Sequence, residues 1–170
     1  MVNLQVTLNR KRFYSPLETD YGRFIACHDG EKVYGLAFPS NKTPAKELTV
    51  CALSRRLEKS LNNYLRKGEP LPDYKTHIFV TEFAAKVINA VRSVPFGKTR
   101  TYSSIAAKIG RPGSQRAVGS VCRKNPVPII VPCHRIIPER GGIGNYSSGR
   151  KWKKMLLAIE KNRGRDIKKY

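Results

Sequence analysis

The spacing of apolar residues changes along this chain at residues 68–73, a short segment with two prolines and a glycine. Before that segment, short apolar runs alternate with turn residues such as Asp29 and Gly30, a pattern typical of a small antiparallel sheet. After it, apolar residues recur at the intervals of amphipathic helices. Because a proline-rich segment with a glycine fits neither element, the sequence predicts an α+β fold with two domains, residues 1–75 and 79–170.

Strands and one helix are expected in the first domain. The apolar runs that predict strands cover residues 4–8, 23–27 and 33–38. Thr43 can cap the helix with Pro44 at its first position, and Gly68 can end it. The buried face of this helix is marked by Leu53, Leu57, Leu61, Tyr64 and Leu65.

The second domain is expected to be mostly helical. Thr81 can cap a first helix, and a second helix begins near Tyr102 and ends at Gly110. A last helix has an inward face and charged outer faces. Its inward residues are Trp152, Met155, Leu156 and Ile159, and the lysines expected on its other faces are Lys151, Lys153, Lys154 and Lys161.

A third helix is predicted over residues 115–124, after a tight turn at 111–113 and a capping Ser114. Its core face is expected at Ala117, Val118, Val121 and Cys122. Two short helices joined by a glycine-containing turn match the helix-turn-helix pattern, in which this helix would be the DNA reader. Many helical hairpins bind nothing, so the charge of the chain has to support this interpretation.

The chain is strongly basic, with 33 Lys and Arg against 12 Asp and Glu and a formal net charge of +21. Residues 79–170 contain 20 of the basic and 4 of the acidic side chains. Such an excess predicts a polyanionic partner, for which nucleic acid is the leading candidate. The alternative is a lysine-rich surface that serves only solubility or thermostability.

Several classes of protein and site are disfavoured. No apolar run approaches the roughly 20 residues that span a bilayer, and the sequence begins without a signal peptide. We therefore expect an intracellular protein, cytoplasmic and nucleoid-associated or nuclear, that is neither secreted nor membrane-bound.

The cysteines lack CxxC spacing, although Cys27 and Cys51 could pair in a hyperthermophile. For zinc, Cys27, His28 and His77 are one ligand short of the usual four, so we predict no metal and no cofactor.

The residues that point most directly to chemistry lie at 125–137, where prolines stiffen an apolar segment around Cys133, His134 and Arg135. A thiol beside positive charge has a lowered pKa and attacks electrophiles as the thiolate. The alternative is that Cys133 is a small buried core residue.

This segment, with Pro-Cys-His-Arg followed by two aliphatic residues, resembles the active-site signature of the O6-alkylguanine-DNA alkyltransferases. The resemblance extends from about Phe83 to Glu160. The other matching motifs, in chain order, are Tyr102, Arg116-Ala117-Val118-Gly119, Asn125-Pro126, Gly144-Asn145-Tyr146-Ser147 and Leu156-Leu157-Ala158-Ile159-Glu160. The resemblance implies an RNase H-like first domain and a winged-helix-like second domain that carries the helix-turn-helix.

The resemblance also implies a reaction: the alkyl group of O6-alkylguanine in double-stranded DNA passes to Cys133, once per molecule. His134 would take the thiol proton through a water, Glu160 would orient His134, and Tyr102 would meet the ring nitrogen of the leaving guanine. The base would leave the duplex on the minor-groove side, with Arg116 in the space it vacates. The candidate DNA-binding residues are Tyr102, Ser114, Gln115, Arg116, Ala117, Gly119, Arg123 and Lys124.

A pocket for the extruded base is implied as well. Its candidate residues are Asn125, Arg135, Ile136, Tyr146, Ser147 and Ser148. Ser148 replaces a glycine common in the family, which leaves the tolerated size of the alkyl group open, as is activity on O4-alkylthymine. We expect a monomer whose partner is the damaged duplex.

Three other functions are open to such a chain. An alkyltransferase-like sensor binds lesions without transfer, but it lacks the acceptor cysteine. A helix-turn-helix regulator could carry an inert Cys133. A papain-like cysteine hydrolase would need a different local sequence around its nucleophile.

Overall fold

The computed structural model describes residues 11–39, 48–78 and 80–162. The strands are β1 (Phe13–Thr19), β2 (Gly22–His28), β3 (Val33–Ala37), β4 (Arg100–Thr101) and β5 (Ile136–Ile137). The helices are α1 (Ala52–Lys67), α2 (Glu82–Arg92), α3 (Tyr102–Lys108), α4 (Gln115–Arg123) and α5 (Arg150–Lys161). The predicted combination of an early sheet and later helices is confirmed.

An antiparallel sheet with the order β1-β2-β3 forms the first part of the described chain. The strands expected at β2 and β3 are present, whereas the strand expected at residues 4–8 lies outside the described residues. The sequence did not predict β1, because Pro16 lies in its middle and cannot donate to a strand ladder. Strand β1 is the first in the order β1-β2-β3, so it lies at an edge of this sheet, where a residue without an N–H donor is tolerated. Pro16 of β1 pairs there with Ile25 of β2.

Helix α1 packs on this sheet with the face that its apolar spacing predicts. Leu57, Leu61 and Tyr64 are fully buried. The expected cap at Thr43 lies outside the described residues, and the helix itself begins at Ala52, after Cys51. It ends as expected at Gly68, whose φ of 64° lets its N–H bond to the carbonyl of Tyr64.

The second half begins with α2, capped as predicted by the Thr81 hydroxyl, which accepts a hydrogen bond from the Ala84 N–H. Helices α3 and α4 follow, joined by a turn with positive-φ glycines. Ser114 was expected to cap α4, but its hydroxyl instead donates to the Arg111 carbonyl at 2.6 Å. Ala117 was expected in the core and is exposed, so the buried face of α4 is narrower than predicted and centres on Val118 and Cys122.

The two halves share one continuous apolar core. Trp152 of α5 packs edge-on against Phe24 of β2, at 5.5 Å between ring centroids, and against Phe38 at 4.7 Å. The Leu36 N–H donates to the carbonyl of Pro126 at 2.8 Å. The segment that precedes Cys133 is therefore held against the sheet of the first half.

A short parallel pairing positions the candidate site. Arg100 of β4 pairs with Ile136 of β5, and Thr101 with Ile137. This pairing places the 3-10 turn at Cys133–Arg135 beside the first residue of α3, Tyr102. No helix in the described ranges is long and apolar enough to cross a bilayer.

Candidate active site

The segment before Cys133 holds the thiol in one place. The Asn125 side chain is buried, and its Nδ2 donates to the Val131 carbonyl at 2.9 Å and to the Cys133 sulfur at 3.2 Å. Its Oδ1 accepts the Val127 N–H at 3.1 Å. One amide thus ties together the loop and the sulfur, and Pro132 fixes the backbone entering the turn.

A cavity of about 930 Å³ opens beside the Cys133 thiol. Cys133 itself is only 3% exposed, so the thiol lies in the cavity wall rather than on the outer surface. The wall residues from α3 and α4 are Tyr102, Arg116, Gly119, Ser120, Cys122 and Arg123. The remaining wall is formed by Pro138, residues 141–147 and Arg150.

The loop at 141–147 therefore belongs to the site, although its glycines alone predicted nothing more than a loop. Gly144 has a φ of +67°, and a Cβ there would lie 3.0 Å from the Pro138 ring. That position tolerates only glycine without local rearrangement. The adjoining Tyr146 and Ser147, predicted as pocket residues, line the cavity.

The protonation state of Cys133 differs from the expectation of a lowered pKa. Burial raises the pKa of the Cys133 thiol, and the opposing effects of the Asn125 hydrogen bond, the Lys153 charge and the Tyr146 hydroxyl are smaller. The neighbouring His134 and Arg135 direct their side chains to a carboxylate instead of the sulfur. The Cys133 side chain is therefore a neutral thiol at rest, and it would need a base to act as a nucleophile.

His134 is suited to be that base. It is fully buried, and its Nε2 lies 2.7 Å from Oε1 of Glu160. A carboxylate accepts only, so Nε2 carries the proton, and Nδ1 of the neutral ring is an acceptor. Nδ1 has no hydrogen-bond partner among the described residues. Burial lowers the pKa of His134 despite the opposing effect of Glu160, which keeps the ring neutral.

Glu160 is saturated with donors. Oε1 accepts from His134, from the Tyr64 hydroxyl at 2.8 Å and from Arg135, while Oε2 accepts from Arg135 and from the Gly97 N–H, both at 2.9 Å. These donors outweigh burial and lower the pKa of Glu160 to about 2. The side chain that the resemblance paired with His134 is thus a carboxylate that is ionised at neutral pH.

Some predicted pocket residues lie elsewhere. Arg135 does not line the cavity: its guanidinium binds Glu160 and donates to the Val94 carbonyl at 2.7 Å. The Ile136 side chain is fully buried, and Ser148 is not part of the cavity wall. Asn125 contacts the sulfur from behind without lining this cavity. Arg135 lies away from the cavity because the buried carboxylate of Glu160 attracts its guanidinium.

Lys153 is a site residue that sequence analysis placed wrongly. It is fully buried, and Nζ donates to the Ile136 carbonyl at 2.6 Å and lies 5.8 Å from the centre of the Tyr102 ring. Burial lowers its pKa, and Cys133 opposes that effect. Its spacing from Leu156 and Glu160 puts it on their face of α5, a signal that its charge obscured.

The predicted DNA-binding residues fall into two groups. Tyr102, Arg116, Gly119 and Arg123 line the cavity, whereas Ser114, Gln115, Ala117 and Lys124 lie outside it on or beside α4. Gln115, Arg116 and Ala117 are exposed. Burial raises the pKa of Tyr102 to about 12, so its hydroxyl remains a donor. Arg150 also lines the cavity and was not predicted.

Metal ligands are not clustered in the part of the chain that the structure describes: it has no group of three or more His, Cys, Asp or Glu side chains that could hold an ion. All four cysteines are free thiols, including Cys27 and Cys51. Cys51 instead lies 3.9 Å from Nε2 of the buried His28.

Residues 82–162 match the family model described as "6-O-methylguanine DNA methyltransferase, DNA binding domain". The methylated-DNA–protein-cysteine methyltransferase of Methanosarcina acetivorans is 34% identical over 152 residues, covering 87% of this chain and 97% of that protein. The enzyme of the same name from Cricetulus griseus is 34% identical over 170 residues, covering 87% and 79%.

A solved structure is similar over the same extent. Mycobacterium tuberculosis OGT in complex with DNA superimposes with a TM-score of 0.80 at 30% sequence identity, covering 89% of this chain and 94% of that one. The O6-methylguanine-DNA methyltransferase of Pyrococcus kodakaraensis gives a TM-score of 0.63 at 26% identity, covering 88% and 99%. The likeness extends over both halves of the chain.

Proposed function

The chain belongs to the family of methylated-DNA–protein-cysteine methyltransferases, and we infer from this premise that it repairs DNA by transferring the alkyl group of O6-alkylguanine to its own Cys133. The choice of Cys133 as the alkyl acceptor rests on one observation. The thiol of Cys133 lies in a cavity wall next to a buried histidine–glutamate pair whose free ring nitrogen can accept a proton.

The reaction starts from the neutral thiol. His134 accepts the thiol proton at Nδ1 through a bridging water, and Glu160 stabilises the imidazolium that forms. The thiolate attacks the alkyl carbon in line with the carbon–oxygen bond. The carbon–sulfur bond forms, and the carbon–oxygen bond breaks with its electrons on the guanine. The guanine takes up one proton from water, and the imidazolium of His134 returns the thiol proton to water, so that the protons balance.

Tyr102 assists the departure of the guanine. Its hydroxyl remains protonated, because its pKa is about 12, and it lines the cavity that holds the base. A hydrogen bond from this hydroxyl to the ring nitrogen stabilises the electron pair as the bond breaks. Tyr146 forms a wall of the pocket, and the backbone amide of Ser147 meets O6.

The reaction is stoichiometric. A thioether on Cys133 has no leaving group that water or a neighbouring side chain can displace readily. Each protein molecule therefore repairs one lesion and is consumed.

The duplex lies against α4. Turning the base out costs about a few kcal/mol, which phosphate contacts and an inserted Arg116 offset. We place α3 and α4 in a helix-turn-helix of winged-helix type within a domain of residues 79–170. Residues 1–75 form an RNase H-like domain, and the protein acts in the cytoplasm, at the nucleoid, or in the nucleus.

A mass measurement tests the proposal. The protein is incubated with a duplex that contains O6-methylguanine, and peptide mapping should find one methyl group per chain, on Cys133. Cys133→Ser should abolish transfer. Cys122→Ser is the matched control, because Cys122 is also buried and lines the same cavity. Methylation of Cys122, or repair by Cys133→Ser, would overturn the assignment.

A further inference from the structure

A side chain from the first half of the chain reaches the carboxylate that pairs with His134. Tyr64 on α1 is fully buried, and its hydroxyl donates a 2.8 Å hydrogen bond to Oε1 of Glu160 on α5. The same oxygen accepts the 2.7 Å bond from Nε2 of His134, and the Tyr64 oxygen lies 3.4 Å from that nitrogen. Side chains far apart in sequence therefore meet at one carboxylate oxygen.

We propose that Tyr64 is a positioning residue for the transfer reaction: its hydroxyl fixes the position of Oε1 of Glu160, shares that oxygen with His134, and thereby opposes protonation of the imidazole before Cys133 reacts. The inference rests on the proposed function, since it concerns the same proton path. Tyr64 does not line the cavity, so it acts through Glu160 and His134 rather than on the substrate.

The geometry gives the direction of the effect. The hydroxyl hydrogen points along the short contact to Oε1, and with these three distances it lies nearer to Nε2 than the Tyr64 oxygen does. The positive end of the O–H dipole thus faces the imidazole. In addition, the hydroxyl competes with His134 for the same oxygen, which weakens the attraction of Glu160 for an imidazolium.

Other charged and titratable groups act on the same ring. Glu160 favours the imidazolium, whereas the positive charges of Arg135 and Lys153 oppose it. Tyr146 packs edge-on at 6.5 Å between ring centroids. Burial is the largest cause that lowers the pKa of His134, and Tyr64 both completes that burial and adds its dipole. The result is a ring kept in the base form that a neutral thiol requires.

The pH dependence of transfer tests this role. Single-turnover rates with saturating O6-methylguanine duplex are measured from about pH 5.5 to 8.5 for the unmodified protein and for Tyr64→Phe. The rate should fall on the acid side as His134 is protonated. In Tyr64→Phe this fall should move to higher pH, so that the rate near pH 6, relative to the plateau, drops by about threefold to tenfold.

Tyr74→Phe is the matched control. Tyr74 is also buried, and its hydroxyl donates to the Arg56 carbonyl at 3.0 Å and lies 2.9 Å from the Ser60 hydroxyl, which can donate to it. Tyr74→Phe should lose a comparable free energy of unfolding, but the pH at which its transfer rate falls on the acid side should not change. If the pH profile of Tyr64→Phe coincides with that of Tyr74→Phe, the proposal is overturned.

His134→Gln separates this proposal from the proposed function. Slow transfer by His134→Gln with an unchanged profile in Tyr64→Phe refutes only the role of Tyr64. Transfer at the full rate by His134→Gln would show that His134 is not the base and would refute the proton path in the proposed function. If Tyr64→Phe does not fold, histidine ¹⁵N NMR of the unmodified protein decides: neutral His134 should carry its proton on Nε2 and its pKa should lie below the ordinary value of about 6.5, and a titration midpoint at or above that value contradicts the proposal.

Discussion

Replacing Glu160 by glutamine should destabilise the protein strongly and in a pH-dependent way. The change keeps the size of the side chain but removes the charge that Arg135 and His134 share. It also places an amide NH₂ among groups that are themselves donors, including the Tyr64 hydroxyl and the Gly97 N–H. At least one buried donor then loses its acceptor.

The structure sets the expected magnitude. Its partners hold the pKa of Glu160 at about 2, against an ordinary value of 4.5. At about 1.4 kcal/mol per pKa unit, the ionised form is stabilised by about 3 kcal/mol in the folded state. The loss from an unpaired buried Arg135 lies in the same range, about 3 to 5 kcal/mol. We expect Glu160→Gln to lower the free energy of unfolding by about 3 to 5 kcal/mol at pH 7.

The sign of the pH dependence follows from the lowered pKa. Stability from Glu160 is fully present above the unfolded pKa near 4.5 and is lost as the pH falls towards about 2. The unmodified protein and Glu160→Gln should differ in their free energy of unfolding. The part of this difference that comes from ionisation of Glu160 should shrink from about 3 kcal/mol at pH 7 to about 1 kcal/mol near pH 3. Urea unfolding followed by circular dichroism at several pH values measures it.

Glu82→Gln is the control for charge removal alone. Glu82 also pairs with a cation, Lys86, at 2.7 Å, but both side chains are exposed, so its loss should change stability little at any pH. A Glu160→Gln variant as stable as Glu82→Gln at pH 7, or a loss that stays constant down to pH 3, would refute the reasoning.

Four further predictions concern the thiol, the cavity and DNA. Asn125→Ala should cost roughly 1 to 3 kcal/mol, because it leaves the buried Val127 N–H without its acceptor, while the Val131 carbonyl keeps the Cys133 N–H; a loss below that range in urea unfolding would contradict it. Gly144→Ala should slow transfer, because the added Cβ would clash with the Pro138 ring at a positive-φ position and displace a loop that lines the cavity, measurable as a reduced single-turnover rate. Arg116→Ala should reduce repair of duplex DNA far more than reaction with free O6-methylguanine, and equal losses would argue against a role in base flipping. Raising the salt concentration should weaken duplex binding steeply in a titration. An affinity that does not change with salt would contradict the inference that the basic residues bind phosphates.

Local sequence was enough for much of the fold. The buried face of α1, the Thr81 cap and the Gly68 stop depend on side-chain spacing and on the backbone freedom of single residues, so they could be predicted. Strand β1 could not, because Pro16 argues against a strand until its place at the sheet edge is known.

The candidate site was predicted in part. The Pro-Cys-His-Arg signature and the ordered motifs singled out Cys133, His134 and Glu160, and the structure brings these residues together. The sequence misplaced Arg135 and Lys153, because a positive charge normally indicates solvent or a ligand. Their actual positions follow from a buried carboxylate and from backbone carbonyls that only the folded chain presents.

The sequence by itself determined the helices of the second half and its basic charge, and it singled out Cys133 as the candidate nucleophile, since these depend on residue type and near neighbours. Tertiary structure alone decided that the Cys133 thiol has a raised pKa and that the Tyr64 hydroxyl donates to Glu160. The physical reason is that burial and hydrogen-bond partners set protonation, and both arise from contacts between segments that are distant along the chain.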